Sequence, residues 1–346
     1  MIKAIQSLRG VFALLIFVHH YTINRLPMID AGNISVVFFI MLSGAMLPLG
    51  YGEKAVDGRL DMKQFMRNRL ARLYPVYSLT LLCGVILFDV NHSLSAIPAI
   101  ICDAFMVQGW IPSADFYFSG NPPGWCMADF LFFYLLFPFI YPRIASRPQR
   151  FFLILLAILL LYFSLTPLLP ESLIEPLTYI SPLFRSLDFV LGLLIGYLFV
   201  KMPFRFSHSS GKATLLETVA VLIACLFYYF QGFAQPLYNN ASWWWLPVGI
   251  LIIVFGSRPF GEGAWSRMLS CRWLVDFGAA SYSFFLTGYL CIMSVKLLLI
   301  HFTRDEDIIN RPACMLIALA VAIPVGLLTY RYVELPLARL LSARKS

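Results

Sequence analysis

The stretch LRGVFALLIFVHHY, from Leu8 to Tyr21, joins one arginine to two histidines through an almost wholly apolar run. Arg9 and His20 are eleven residues apart. That is about three helical turns, so a helix puts them on one face, with His20 roughly 16 Å deeper than Arg9. An imidazole can take up a proton near neutral pH or act as a nucleophile. His19 points about 100° away from His20, so the two rings do different jobs. Histidines in such a helix either pack against neighbouring carbonyls or carry chemistry. The depth of His20 and the face it shares with Arg9 favour chemistry for His20 and packing for His19.

Three further groups stand out. Asp129 lies in NPPGWCMADFLFFYLLFP (121–138). If a helix begins near residue 122, Asp129 sits about 10 Å along it, where a carboxylate could orient an imidazole or pair with Arg185. Trp125, just before it, suits an interfacial aromatic position. Arg185 and Asp188 are three residues apart in PLFRSLDFVLGLLIGY and share a helix face. An internal ion pair is the natural reading there, and Gly192 and Gly196 form a small-residue face for close helix packing. FMRNRLARLYP carries Arg67, Arg69 and Arg72. These arginines either set topology and touch anionic lipids or hold a phosphate-rich donor such as coenzyme A. No Walker loop or GxGxxG accompanies them, which disfavours a nucleotide-hydrolysing pump. The seven cysteines show no CxxC and no grouping with histidine, so neither a metal site nor a disulfide framework is expected.

The elements that must position these groups are membrane helices. The chain has 346 residues, 60% of them hydrophobic and only 13% charged. Soluble domains carry about 25% charged residues. At about 20 apolar residues per span, ten segments qualify. They lie near 11–28, 35–51, 73–90, 122–141, 151–169, 180–200, 213–231, 243–256, 274–301 and 312–333. The fold class is therefore all-α, a polytopic membrane protein of about ten transmembrane helices. The interrupted apolar segment 94–112 reads as a re-entrant or interfacial piece. The first apolar run is too long for a signal-peptide core and has no small-residue cleavage site, so it reads as a retained span.

Charge follows the same pattern. With a cytoplasmic N-terminus, the outside connections hold only Arg25, Arg304 and Arg311, while Arg185 and Lys296 fall within spans. The remaining lysines and arginines are all inside, as the positive-inside rule requires. Both termini are thus expected in the cytoplasm. The net charge of +8 reflects topology and needs no nucleic-acid partner. No hydrophilic stretch is long enough for a second domain.

Seven stretches, in order, resemble the acyltransferase-3 family of integral membrane O-acyltransferases. LRGVFALLIFVHH matches its Arg-(ten residues)-His signature, which selects His20. VVFFIMLSGAML, with Ser43 and Gly44, is similar to its FF-x-x-SG segment. RNRLARLYPVY resembles its RxxR-(I/L)-YP entry, with Arg69 and Arg72. GWCMADFLFFYLLFP, FRSLDFVLGLLIG, FGAASYSFFL (with Tyr282) and TYRYVELPLAR (with Arg331 and Glu334) resemble four later motifs. Two departures matter. Aligned on YLLFP, the family's glutamate falls on Phe130, so Asp129 substitutes only if the helix turns by about 100°. The histidine that often follows SYS-x-YL is here Gly288.

The resemblance implies one acyltransferase-3 membrane domain over 1–346, core about 8–336, in the bacterial inner membrane. It implies an O-acetyltransferase with cytoplasmic acetyl-CoA as donor substrate and no permanently bound cofactor or metal. The acceptor is a sugar hydroxyl of a glycan, such as lipopolysaccharide O-antigen, or its undecaprenyl-linked precursor. The chain stops 12 residues after Glu334, leaving no room for the soluble SGNH domain of many members. His20 and Asp129 take the catalytic positions and Arg9, Arg69 and Arg72 the donor phosphates. Trp125, Ser43, Arg185, Asp188, Tyr282, Arg331 and Glu334 are acceptor-side or structural. His20 serves as general base or transient acyl carrier. A flippase for a lipid-linked sugar is the rival class; it calls for two corresponding halves with broken helices. A glycan polymerase is disfavoured because the outside connection 91–121 has no arginine.

Overall fold

The computed structural model describes residues 2–22, 31–88, 96–201, 210–234, 238, 240–256 and 263–342. Arg25, Arg205, Arg258, Arg344 and Lys345 of the charge pattern lie outside them. The main elements in chain order are α1 (Lys3–Thr22), α2 (Gly32–Val56), α3 (Met62–Phe88), α4 (Ile97–Ala104), α5 (Cys126–Ser146), α6 (Pro148–Leu165) and α7 (Pro182–Lys201). They continue with α8 (Ser210–Tyr229), α9 (Ser242–Gly256), α10 (Arg272–Ala279), α11 (Ser281–Thr303), α12 (Pro312–Thr329) and α13 (Leu335–Leu341). Among the described residues there is no strand. Prolines at the first helical position of α6, α7 and α12 lose no hydrogen bond there. Internal prolines such as Pro75 and Pro247 are the kind that membrane helices tolerate.

Eight helices among the described residues are long and apolar enough to cross a membrane. They answer eight of the ten expected segments, and the chain is a multi-pass membrane protein. The first and eighth segments are also helical but fall short. Lys3, Arg9 and two histidines dilute the apolar run of α1, and α9 has only 15 residues. The ninth segment divides at Ala280 into α10 and α11, so its apolar span is the second piece alone. Segment 94–112 contains the short α4, which buries Ala99 and Asp103 and exposes Ile97 and Ile101. On α6, Leu153 and Leu160 face outward, as contact with lipid requires.

The chain divides into two compact units. One comprises residues 1–6, 36–62 and 129–271. In it α2 and α7 cross closely. A Cβ on Gly196 would meet the Ala45 carbonyl at 2.6 Å, and one on Gly44 would meet the Leu193 nitrogen at 2.9 Å. Only a small residue allows that approach. Phe133 of α5 stacks on Phe189 of α7 at 4.9 Å. The other unit comprises residues 7–35, 63–128 and 272–346. There α11 and α12 pack along one another, and a Cβ on Gly326 would meet the Phe284 backbone at 2.8 Å.

Candidate functional site

In the second unit, α1 and α11 build a narrow crevice. Ala13, Ile16, Phe17 and His20 recur at helical spacing on one face of α1, and Phe284, Phe285, Gly288 and Tyr289 close it from α11. The empty space is about 150 Å³ including its mouth, and it is too narrow for a water molecule. His20 is its one imidazole wall. Among the described residues the His20 ring is held by ring contacts, at 5.4 Å to His19 and 5.7 Å to Tyr289. His19 instead packs toward Gly32, where an added Cβ would meet its ring at 2.7 Å. This separates the two histidines as the helical geometry predicts.

The arginines form a second assembly in the same unit. Because α3 begins at Met62, Arg67, Arg69 and Arg72 ride on the helix itself rather than before it. Glu334 is buried and accepts a 2.7 Å hydrogen bond from the Ser283 hydroxyl. Arg9 and Arg72 both act electrostatically on its carboxylate. The neighbouring residue of the SYS motif, Tyr282, donates to the Leu73 carbonyl at 2.6 Å. The motif therefore fastens α3 beside Arg72 and, through Ser283, holds the Glu334 carboxylate. Glu334 ends a π-helical turn, Tyr330–Glu334, a distortion frequent at functional positions. Arg69 lies 5.6 Å from the Phe65 ring, and Arg331 lies over Tyr332 at 5.9 Å. The Arg67 Nε donates to the Leu341 carbonyl at 2.7 Å, tying α13 to α3.

The first unit holds the remaining buried charges. Asp129, Arg185 and Asp188 are all fully buried. Arg185 and Asp188 pair at 3.0 Å. The Arg185 Nη1 donates to the Asn240 carbonyl at 3.0 Å, and the Trp245 indole donates to Asp188. Asp129 feels both charges, yet neither of its oxygens has a hydrogen-bond partner among the described residues. An unpaired carboxylate is costly in such a setting. Ser43 precedes Gly44 at the α2–α7 crossing, a packing position. Asp129 and His20 belong to different units, and each is described within its own.

One assembly was not read from the sequence. Gln108 is buried and donates to the Tyr77 hydroxyl at 3.0 Å and to the Gly124 carbonyl, beside Trp125, at 3.1 Å. Tyr77 donates to the Asp103 carbonyl at 2.8 Å, and the Ser119 hydroxyl donates to the Asp103 carboxylate. Asn121 donates to the Leu286 carbonyl at 3.1 Å. Burial pushes the Asp103 carboxyl up to about 7, against the opposing pull of the Ser119 hydrogen bond. The available signal was Asp103, Gln108, Ser119 and Asn121 in a largely apolar connection, with Gly120 at a turn needing φ +58°. Tyr289, Ser283 and Trp245 were missed for a related reason: each gains meaning only from a partner distant in the chain. No group of His, Cys, Asp or Glu able to hold a metal ion occurs among the described residues.

A half-buried imidazole facing an apolar crevice, with a separate guanidinium–carboxylate cluster to which Arg9 of the same helix contributes, defines a membrane-embedded enzyme-like site. Comparison with known proteins gives its class. The family described as "Acyltransferase domain" matches residues 2–331, and the chain belongs to this acyltransferase-3 family. It is 26% identical to "Acyltransferase MdmB" of Streptomyces mycarofaciens over 336 residues, covering 91% of this chain and 83% of that protein. It is also 37% identical to "Protein 2 in picA locus" of Rhizobium radiobacter over 78 residues, 22% of this chain and 40% of that protein. No solved structure matches.

Proposed function

We propose that this membrane acyltransferase is an O-acetyltransferase of the bacterial inner membrane. It moves acetyl from cytoplasmic acetyl-CoA to a sugar hydroxyl of a surface polysaccharide such as O-antigen, or of its lipid-linked precursor. The observation that carries this reading is the placement of His20 in the α1–α11 crevice, with Arg9 three turns away in the cluster with Arg72 and Glu334. Guanidiniums suit the phosphates of the donor, and both termini lie on the donor side by the charge pattern.

In the simplest chemistry His20 is the general base. It takes the proton of the acceptor hydroxyl as that oxygen attacks the thioester carbonyl carbon. The C–O bond forms, the C–S bond breaks, and the proton passes to the departing thiolate, leaving CoA as the thiol. If His20 instead carries the acyl group, a C–N bond to its ring forms as the C–S bond breaks, and the acceptor oxygen then forms the C–O bond as that C–N bond breaks. Asp129 is the second proposed catalytic residue, a buried carboxylate whose oxygens have no hydrogen-bond partner among the described residues. Arg69 joins Arg9 and Arg72 in holding the donor.

The test is CoA release by the purified protein from acetyl-CoA, with surface polysaccharide or its lipid-linked precursor as acceptor. Acceptor-dependent thiol release that disappears in His20→Ala supports the reading. Movement of the lipid-linked acceptor from one leaflet of a vesicle to the other without thiol release would favour the flippase instead.

A further inference from the structure

The connection between α3 and α5 is built inside out. Asp103, Gln108 and Asn121 are buried, while Ile97, Ile101 and Phe105 face outward. The outward three recur at four-residue spacing along α4, so they share one face. We infer that residues 97–120 form a re-entrant membrane element that enters the bilayer from the outer side and turns back within it, with the hydrocarbon chains of lipid covering the Ile97–Phe105 face. Lipid contact at this face does not depend on the reaction assigned above.

Three observations carry it. The first is depth. Tyr74 of α3 donates to the Ala104 carbonyl at 3.1 Å, and Tyr77 donates to the Asp103 carbonyl at 2.8 Å. The stretch of α3 from Tyr74 to Phe88 is about 21 Å of helix. Over that stretch α3 presents Leu79, Leu82 and Ile86 outward, and α3 is long and apolar enough to cross a membrane. The turn after α4 therefore lies at the depth where α3 meets lipid. The returning limb climbs back, and Gly120 packs against Gly84, one turn short of Phe88.

The second is the backbone. A chain that is not one long helix can lie at membrane depth only where its backbone groups are paired within the protein. Here successive turns pair internally. The N–H of Met106 donates to the Asp103 carbonyl at 2.8 Å, that of Val107 to Cys102 at 2.9 Å, that of Trp110 to Val107 at 3.1 Å and that of Phe118 to Ala114 at 3.1 Å. The reversal itself uses Met106 at φ +55°, a conformation uncommon for a residue with a side chain.

The third is charge. No lysine or arginine occurs between Arg72 and Arg143, so no basic group anchors the segment at the headgroups. Its acidic residues are sorted by depth. Asp103, at the turn, is buried and accepts from the Ser119 hydroxyl. Asp115 is exposed on the returning limb, shortly before Gly120.

The test uses the full-length protein in vesicles of phosphatidylcholine and phosphatidylglycerol. Phe105, 71% exposed, is replaced by the photocrosslinker p-benzoylphenylalanine, and Asp115 is replaced by it in a second variant. After illumination, mass spectrometry reads what each probe has captured, and fragmentation shows whether a lipid adduct sits on the acyl chain or the headgroup. The expected result is an acyl-chain adduct at position 105, several-fold more abundant than at position 115. The same probe at Ile101, one turn earlier on the same face, is expected to behave as at position 105 and serves where that variant does not fold. A headgroup adduct alone, no adduct, or equal acyl-chain adducts at 105 and 115 would overturn the inference and leave the segment at the surface. A crosslink to a second copy of the chain would overturn it too, making this face a subunit interface.

Discussion

The His20 and Tyr289 rings meet nearly at right angles, 83° between planes, with centroids 5.7 Å apart. This edge-to-face geometry is a favoured aromatic arrangement, and it braces the imidazole plane through a ring. Tyr289→Phe keeps the ring and should retain activity within about twofold. Tyr289→Leu removes it and should lower kcat by about tenfold, equivalent to about 1.4 kcal/mol, with KM for the donor little changed. Steady-state kinetics of the two variants, side by side, separate the ring from the hydroxyl. Equal activity in both would remove any positioning role.

Arg72 and Arg9 both act electrostatically on Glu334 while the Ser283 hydroxyl holds it by a hydrogen bond. If the two guanidiniums grip donor phosphates, Arg72→Ala should raise KM for acetyl-CoA by about tenfold or more, the weight of one charge-assisted hydrogen bond at about 1.5–3 kcal/mol. The same variant should lose most of its discrimination between acetyl-CoA and its 3′-dephospho form. An unchanged KM in Arg72→Ala would show that the arginines serve topology alone.

The buried Arg185–Asp188 pair makes a stability prediction. Removing one partner strands the other charge, which costs about 3–5 kcal/mol in buried pairs. Asp188→Asn should therefore melt well below the parent protein in detergent. Replacing both residues, Arg185→Met with Asp188→Leu, should recover much of that loss. Two equal single and double losses would point to a role beyond mutual compensation.

Asp103 supplies the pH dependence. Its carboxyl sits near 7 in the folded chain and near 3.9 in an unfolded one. The folded state therefore favours the neutral acid. That stability is fully present below about pH 3.9 and is lost as pH rises through 7. The melting temperature of the parent protein should fall between pH 5 and pH 8 relative to Asp103→Asn. Parallel curves for the two proteins would contradict this assignment.

The sequence exposed what depends on local composition. Eight spans, the shared face of Arg9 and His20, and the Gly192–Gly196 packing face all follow from apolar run length and helical period. The Arg185–Asp188 pair follows from i,i+3 spacing. What could not be read depends on which distant residues meet. Tyr289 touches His20 across most of the chain length, and Ser283 reaches Glu334 across helices α11 and α12. Neither periodicity nor motif order states which faces of two helices oppose one another. The boundary errors are similar in kind. The Arg67–Arg72 turn belongs to α3 because a helix does not stop where its apolar run stops. Ala280 divides the ninth segment at a break marked in the sequence only by small and polar residues, Gly278 to Ser283.

The central claim is that His20 performs acyl transfer to a glycan hydroxyl. The most direct measurement is NMR of surface polysaccharide purified from cells expressing the chain or its His20→Ala variant, before and after mild base. A base-labile acetyl signal with the intact chain, lost in the variant while the variant remains in the membrane, is the predicted result. The same acetyl signal at full strength with His20→Ala would contradict it.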